Sequence, residues 1–370
     1  MKIVYAVYHD LRWEARSKEV LQALQLIGDV IIITQEDIPE DCKNECTSVI
    51  IAKPIKGIPG SRLLSFMQLT KKALLREKPD IVVFHDDAYY IPLVRRRIPN
   101  ATIVYDQSEL VINRKIKSVK TFVLDMFDRI EKRNVPLVDI YISANKEREN
   151  IAKQYFGLNC NLVVFNNIHK IDDICTDSHV TQKYDVFFSN TIFNVVYGGG
   201  IREDRGTYEM TDAFAKLGTD YSLLIAGNAW DNETSFKEYL KKHQIKNVHF
   251  IGFVSREEWG YLLKRADASM VYFQQNTVNN TYCASGKSYE SLFFNTPIIC
   301  SSNPPLKNLC EAYECGISGD DIATCVYTLR NDYQTYIDGV AKFIRETDYD
   351  NRIIELSENI KKYLGKRNNI

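Results

Sequence analysis

Residues 268–302 read ASMVYFQQNTVNNTYCASGKSYESLFFNTPIICSS. An apolar strand, ASMVYF at 268–273, gives way to a polar stretch, then to a helical segment from Ser285, then to a second strand in TPIICSS at 296–302. Strand, helix and strand in this order make a βαβ unit with parallel strands. On the helix, Lys287 and Glu290 are three residues apart and share a face. A cation there can neutralise a diphosphate, and a carboxylate can accept hydrogen bonds from ribose hydroxyls. A surface ion pair worth about 0.2–0.5 kcal/mol accounts for the same spacing equally well.

The alternation extends in both directions. Upstream lie YDVFFSN (184–190), NVVYGGG (194–200), a helix from Met210 to Leu217, YSLLIAG (221–227) and NVHFIGF (247–253). An earlier series has KIVYAVY (2–8), a helix from Ser17 to about Leu26, DVIIIT (29–34), DIVVFHD (80–86), ATIVYD (101–106), DIYISA (139–144) and NLVVFNN (161–167). Between the two series, residues 168–183 are polar and aperiodic, as a linker is. With 370 residues, the chain exceeds the ~250 that one core usually serves, so two α/β domains are expected. The last stretch, 348–364, reads as an amphipathic helix with Ile353, Ile354, Leu356, Ile360 and Leu364 on one stripe.

Composition narrows the function. A formal net charge of -1 argues against a general nucleic-acid binder. The opening MKIVYAV lacks a basic region followed by a long apolar run, so a secretory leader is not expected and the protein is expected in the cytoplasm. The apolar runs fall well short of the ~20 residues that span a bilayer. Nine cysteines without a close CxxC pair, Cys42 and Cys46 among them, fit reduced thiols, and the six histidines show no metal-ligand spacing. A protein-built metal site and a bound cofactor are therefore not expected.

In open parallel sheets, ligands gather beyond the carboxyl ends of the strands. The polar residues there are His9, Asp10 and Arg12; His85, Asp86 and Asp87; Tyr105 to Glu109; and Ser143 to Lys146. Taken singly, loop solvation or helix capping explains each of them. GGGIREDRG at 198–206 joins a strand to a helix and carries Arg202 and Arg205, a fit for phosphate. It matches neither GxGxxG nor a P-loop, and a solvated surface turn explains it as well.

Taken in order, these segments resemble the retaining GT-B glycosyltransferases of family 4 that build bacterial surface polysaccharides. HDLRWEARSKEVLQAL (9–24) resembles that family's opening loop and helix, and KPDIVVFHD (78–86) its "P-D-V-V-H-x-H-D" strand. IVYDQSELV (103–111) with RIEKRNVPLVDIYISAN (129–145) resembles the "V-Y-D-x-H-E … I-E … A-D-x-V-I" run of one subgroup. EDRGTYEMTDAFAKL, NVHFIGFVSREEW and GKSYESLFFNTPIICSS resemble the family's "K/R-G" helix, its "V-x-F-x-G-x-V" strand and its "K-x-x-E" helix. The fold implied is GT-B: two Rossmann-like doubly wound α/β domains, 1–170 for the acceptor and 171–346 for the nucleotide sugar. A cleft lies between them, and a C-terminal crossover helix, 347–370, packs back toward the first.

The resemblance implies roles. Arg205 and Lys287 face the donor diphosphate, with Arg202 beside them; Glu290 binds ribose; the backbone near Phe253 and Val254 meets the base. With Asp106 these two cations form the catalytic set, and Asp10, Arg12, His85 and Glu109 lie on the acceptor side. The family's paired glutamates are eight residues apart, but Tyr282 stands eight before Glu290, so the sugar end of the donor departs from the pattern. Ser108 occupies the family's histidine position, leaving Asp106, Glu109 or His85 to orient the sugar or acceptor. Whether Arg202 or Arg205 turns inward stays open at this level.

The implied activity is transfer of a hexose from a UDP-sugar to a glycan or lipid-linked oligosaccharide, with no metal required. A UDP-sugar epimerase of the same fold and a non-catalytic sugar-nucleotide binder are the alternatives. Arg95, Arg96, Arg97, Arg114, Lys115, Lys117 and Lys120 form basic clusters that would contact anionic lipid at the inner face of a membrane, or a solvated face.

Overall fold

The computed structural model describes residues 1–12, 14–43, 46–56, 58, 60–110, 112, 119–171, 174, 177–229 and 232–364, without the side chains of 119–124 and 204. The chain divides into two units, Met1–Asn166 with Asp348–Ile370, and Asn167–Thr347.

The first unit holds β1 (Lys2–Val7), β2 (Asp29–Thr34), β3 (Ser48–Ile51), β4 (Ile81–His85), β5 (Thr102–Gln107), β6 (Ile140–Ser143) and β7 (Asn161–Val164). They form one sheet in the order β3-β2-β1-β4-β5-β6-β7. Every pair is parallel, with Tyr5 opposite both Ile32 and Val83. Helices cover both faces, so the central strands are buried on both sides and read as unbroken apolar runs. The order reverses between β1 and β4, and their carboxyl ends open a crevice there.

The second unit holds β8 (Phe193–Gly198), β9 (Tyr221–Ala226), β10 (Val248–Gly252), β11 (Ala268–Val271), β12 (Ile298–Cys300) and β13 (Gly316–Ser318). Their order is β10-β9-β8-β11-β12-β13, again all parallel. Here the reversal falls between β8 and β11.

Two expectations change. YDVFFSN at 184–190 is not a strand: a helix, Ser178–Tyr184, runs into a 3-10 turn, Asp185–Phe187. Val186 is 76% exposed, while Phe187 and Phe188 pack on the cluster that includes Tyr184, Trp259 and Leu262. The apolar run caps the core as a turn, and the stretch read as linker contains the helix that leads into it. The C-terminal helix, Arg352–Tyr363, packs on the Ala15–Gln25 helix within the first unit. Leu356 and Ile360 are buried, but Ile354 is 47% exposed and leaves the expected stripe. Arg352 anchors this contact, donating from Nη2 to Glu19 Oε2 at 2.9 Å and to the Asn166 carbonyl at 3.0 Å.

Candidate active site

In the second unit, the glycines after β8 let two loops meet. Gly200 has φ +69°, and a Cβ there would lie 2.0 Å from the Asn228 carbonyl oxygen. The amides of Gly199 and Gly200 both donate to Ala226 O, at 3.0 Å, so the end of β8 is locked to the end of β9. Beyond it, Thr207 closes the loop onto the next helix: its Oγ1 accepts from the Arg202 amide at 3.0 Å and donates to Arg202 O at 2.9 Å. β8 is thus the strand that precedes the phosphate-type loop.

The same loop directs its two arginines differently. The Arg205 guanidinium lies over the Phe273 ring, 4.4 Å from its centroid, just past the end of β11. Arg202 instead lines a cavity of about 830 Å³ with Ile201, Glu203, Tyr208, Asn232, Gln274 and Asn276.

Lys287 and Glu290 meet on one residue that sequence reading passed over, Trp259. The Lys287 ammonium lies 5.1 Å from the indole centroid, and the indole Nε1–H donates to Glu290 Oε2 at 3.2 Å. The Lys287 stem crosses the end of β8: a Cβ on Gly198 would meet Lys287 Cδ at 3.2 Å. Ser285 caps the Gly286–Phe293 helix by accepting from the Lys287 amide, and a Cβ on Gly286 would lie 2.5 Å from His169 Cδ2 and push that ring aside. That helix N-terminus favours an anion. Tyr282 sits half-buried at the C-terminal cap of the short Val278–Thr281 helix. Phe253 is 69% exposed beyond β10, while Val254 packs on the cluster around Trp259. Trp259 had a sequence signal: it lies in the first turn of the Arg256–Arg265 helix, within the NVHFIGFVSREEW segment.

In the first unit, the reversal between β1 and β4 gathers a buried ionic group. Asp106 at the end of β5 is sealed from solvent; its Oδ1 accepts from Arg16 Nε at 3.0 Å and Nη2 at 2.5 Å, and its Oδ2 bonds His85 Nδ1 at 2.7 Å. Burial alone would raise its pKa, but the charges of Arg16 and His85 prevail and lower it to about 2. Burial likewise opposes the charge on His85, yet Asp106 and then Asp86 raise its pKa to about 9. At neutral pH His85 is therefore an imidazolium held in place by Asp106. Asp106, expected as a catalytic group, is fully buried with both oxygens engaged, so it is out of reach of a ligand and holds the His85 ring instead.

The His9 ring stands edge-on to His85 with centroids 5.1 Å apart. The candidate ligand atoms of His9, His85 and Asp86 lie within 4.8 Å of one another, a spacing that can hold a metal ion and that no linear motif betrays. The proton on His85 competes with such an ion. Asp86 has φ +51° and accepts from the Ser108 amide at 2.9 Å. Asp87 is 5% exposed, its Oδ2 has no hydrogen-bond partner among the described residues, and burial pushes its pKa up to about 7. Asp10 and Arg12 form a local exposed pair, Nη2 to Oδ2 at 2.6 Å, and Glu109 is exposed.

Arg16 carries a sequence signal of its own: it begins an apolar stripe with Val20, Ala23 and Leu24, where a cation needs a buried partner. Arg95, expected at a membrane, turns inward instead: its Nε donates to Leu137 O at 2.7 Å and its Nη2 pairs with Asp139 at 2.8 Å. Arg96 and Arg97 are exposed in the last turn of their helix. Arg114, Lys115 and Lys117, and the side chain of Lys120, lie outside the described residues. No helix among the described residues is long and apolar enough to cross a membrane.

Residues 189–360 match the family model of glycosyl transferases group 1. No curated protein matches the sequence. Among solved structures, the chain is similar to sucrose-phosphate synthase from Thermosynechococcus elongatus, with TM-score 0.76, 13% identity and 98% of each chain covered. It is similar to a glycosyltransferase from Rickettsia africae, with TM-score 0.74, 13% identity and 99% of each chain covered. HepE of Anabaena in complex with UDP-glucose is a third, with TM-score 0.70, 15% identity, and 98% of this chain and 99% of that one covered. The chain thus has the two-domain GT-B fold, carries a glycosyl transferases group 1 match over residues 189–360, and is a glycosyltransferase.

Proposed function

We propose that the chain is a retaining enzyme of the family 4 type that moves a hexose from a UDP-sugar to a glycan or lipid-linked oligosaccharide in surface-polysaccharide synthesis. The observation that carries this reading is the pairing of Lys287 and Glu290 on Trp259 at the end of β8, with Arg205 at the end of the adjacent β11. The cations stabilise the negative charge that builds on the departing diphosphate. Glu290 takes the ribose hydroxyls, and Phe253 and Val254 flank the base. As the sugar's bond to the diphosphate breaks, the acceptor hydroxyl bonds the anomeric carbon from the same face, and its proton passes to an oxygen of the leaving phosphate. No metal is needed for this sequence. His85, Asp10, Arg12 and Glu109 stand on the acceptor side, and the exposed Arg96 and Arg97 face anionic lipid.

The test is a panel of radiolabelled nucleotide sugars incubated with the protein, followed by a search for label in lipid and glycan fractions. Label in those fractions supports the reading; conversion of the donor sugar without transfer, or binding with neither, overturns it. Lys287→Ala and Glu290→Ala should each raise the Kd for UDP at least tenfold, since hydrogen bonds to charged groups contribute about 1.5–3 kcal/mol.

A further inference from the structure

From Cys46 to Arg76 the chain carries six cations, Lys53, Lys56, Arg62, Lys71, Lys72 and Arg76, and no acid. The same stretch carries four of the large apolar side chains that stand most exposed: Ile55 at 59%, Ile58 at 54%, Leu64 at 59% and Leu75 at 41%. We propose that this face of the first unit docks on a membrane surface containing anionic lipid.

The geometry holds these groups outward. The Ser61–Glu77 helix buries Phe66, Thr70, Ala73 and Leu74 against the sheet, with the Phe66 ring 5.1 Å from that of Tyr8. Its opposite side, at helical spacing, presents Leu64, Gln68, Lys71, Lys72 and Leu75. The loop before it is pinned: Ser61 Oγ accepts from the Ile55 amide at 2.8 Å and donates to the Ile55 carbonyl at 3.2 Å, and the Ile58 amide donates to that carbonyl at 3.1 Å. These bonds fix the backbone at Ile55 and at Ile58, whose side chains stand exposed.

Charge selects the partner. Arg62 pairs with Glu36, and Arg76 with Glu77, which also takes Lys2. Lys53, Lys56, Lys71 and Lys72 are exposed and make no ion pair among the described residues. Unpaired lysines interleaved with aliphatic side chains suit the boundary between anionic headgroups and acyl chains, where ammonium groups meet phosphate and apolar tips leave water.

The full chain, without nucleotide, is sedimented with vesicles of phosphatidylcholine alone or mixed in equal parts with phosphatidylglycerol. Because no nucleotide is present, failure here is separable from failure of the donor reading. The expected result is partition onto the anionic vesicles only. Replacing Lys53, Lys56, Lys71 and Lys72 together by Ser should lower it at least tenfold, as each lysine contributes about fivefold at a charged surface. Ile55→Ser with Ile58→Ser should lower the part that survives high salt. Circular dichroism of both variants should match the parent. Equal binding to both vesicles, unchanged binding of both variants, loss only with Arg96→Ser and Arg97→Ser, or a dimer in light scattering that Leu64→Ser dissolves, would each overturn the proposal.

Discussion

Asp106→Asn keeps the shape of the side chain and removes the charge on which the interior of the first unit depends. Arg16 is 1% exposed and His85 1%, so neither can recover water when the carboxylate is neutralised. Breaking one partner of a buried ionic group costs about 3–5 kcal/mol. The pH dependence gives a second magnitude for the same attraction. His85 holds its proton to about pH 9 against the usual 6.5, because the attraction of Asp106 and Asp86 outweighs the burial that opposes it. A raised folded-state pKa stabilises the fold fully below pH 6.5, and that stability fades as the pH rises through 9. At 1.36 kcal/mol per pKa unit it amounts to about 3 kcal/mol. Asp106 works in the other direction: its depressed pKa of about 2 stabilises above the usual 3.8 and is lost in acid below it. One attraction underlies both shifts and is counted once. The assay is hydrogen exchange of peptides covering β4 and β5, corrected for intrinsic pH dependence, with urea unfolding alongside. Between pH 6.5 and 9 the parent should lose about 3 kcal/mol of protection there, while Asp106→Asn should start lower and change little. A variant as protected as the parent, or a parent whose protection is flat across that range, would refute the reasoning.

Three further outcomes are expected. Trp259→Phe keeps a ring under Lys287 but deletes the indole N–H that reaches Glu290 at 3.2 Å, so titration calorimetry should find UDP bound about fivefold more weakly, a loss near 1 kcal/mol. Gly200→Ala forces a Cβ to within 2.0 Å of the Asn228 carbonyl at φ +69°; adding the left-handed cost of about 1–2 kcal/mol, unfolding of the second unit should move to clearly lower urea, and an unchanged midpoint counts against the close approach. Arg352→Ala takes the guanidinium away from Glu19, which is 8% exposed, and should cost about 3–5 kcal/mol, seen as lost exchange protection over residues 352–363 and 15–25 with the second unit unaffected.

Strand positions were legible wherever a strand is central. IVVFH in β4 and YSLLIA in β9 are buried on both faces, so their apolar runs could serve no other regular element of that length. Legibility failed at one edge of each sheet. β3 (SVII) and β13 (GIS) are short and half-buried, and pairing with a neighbour makes them strands more than their own composition does. It failed also at 184–190, where an apolar run packs on the core without joining the sheet. In the candidate site, Lys287 and Glu290 could be paired from their spacing, because an α-helix sets three residues on one side. Trp259, which holds both, is about thirty residues upstream on another helix, and no local pattern ties it to them.

The sequence by itself determined the alternation of strand and helix, two sheets, and the end of each strand where polar residues collect, because hydrophobic periodicity and turn chemistry are local properties. Tertiary structure decided which of those polar residues touch and with what charge. Arg16, His85 and Asp106 come from three elements separated by up to 90 residues, and only the parallel order β1-β4-β5 sets them side by side away from water. There, low dielectric makes each charge depend on the others. The same closure turned Asp106 from a candidate for chemistry into the support of His85, and drew Arg95 from the surface to Asp139.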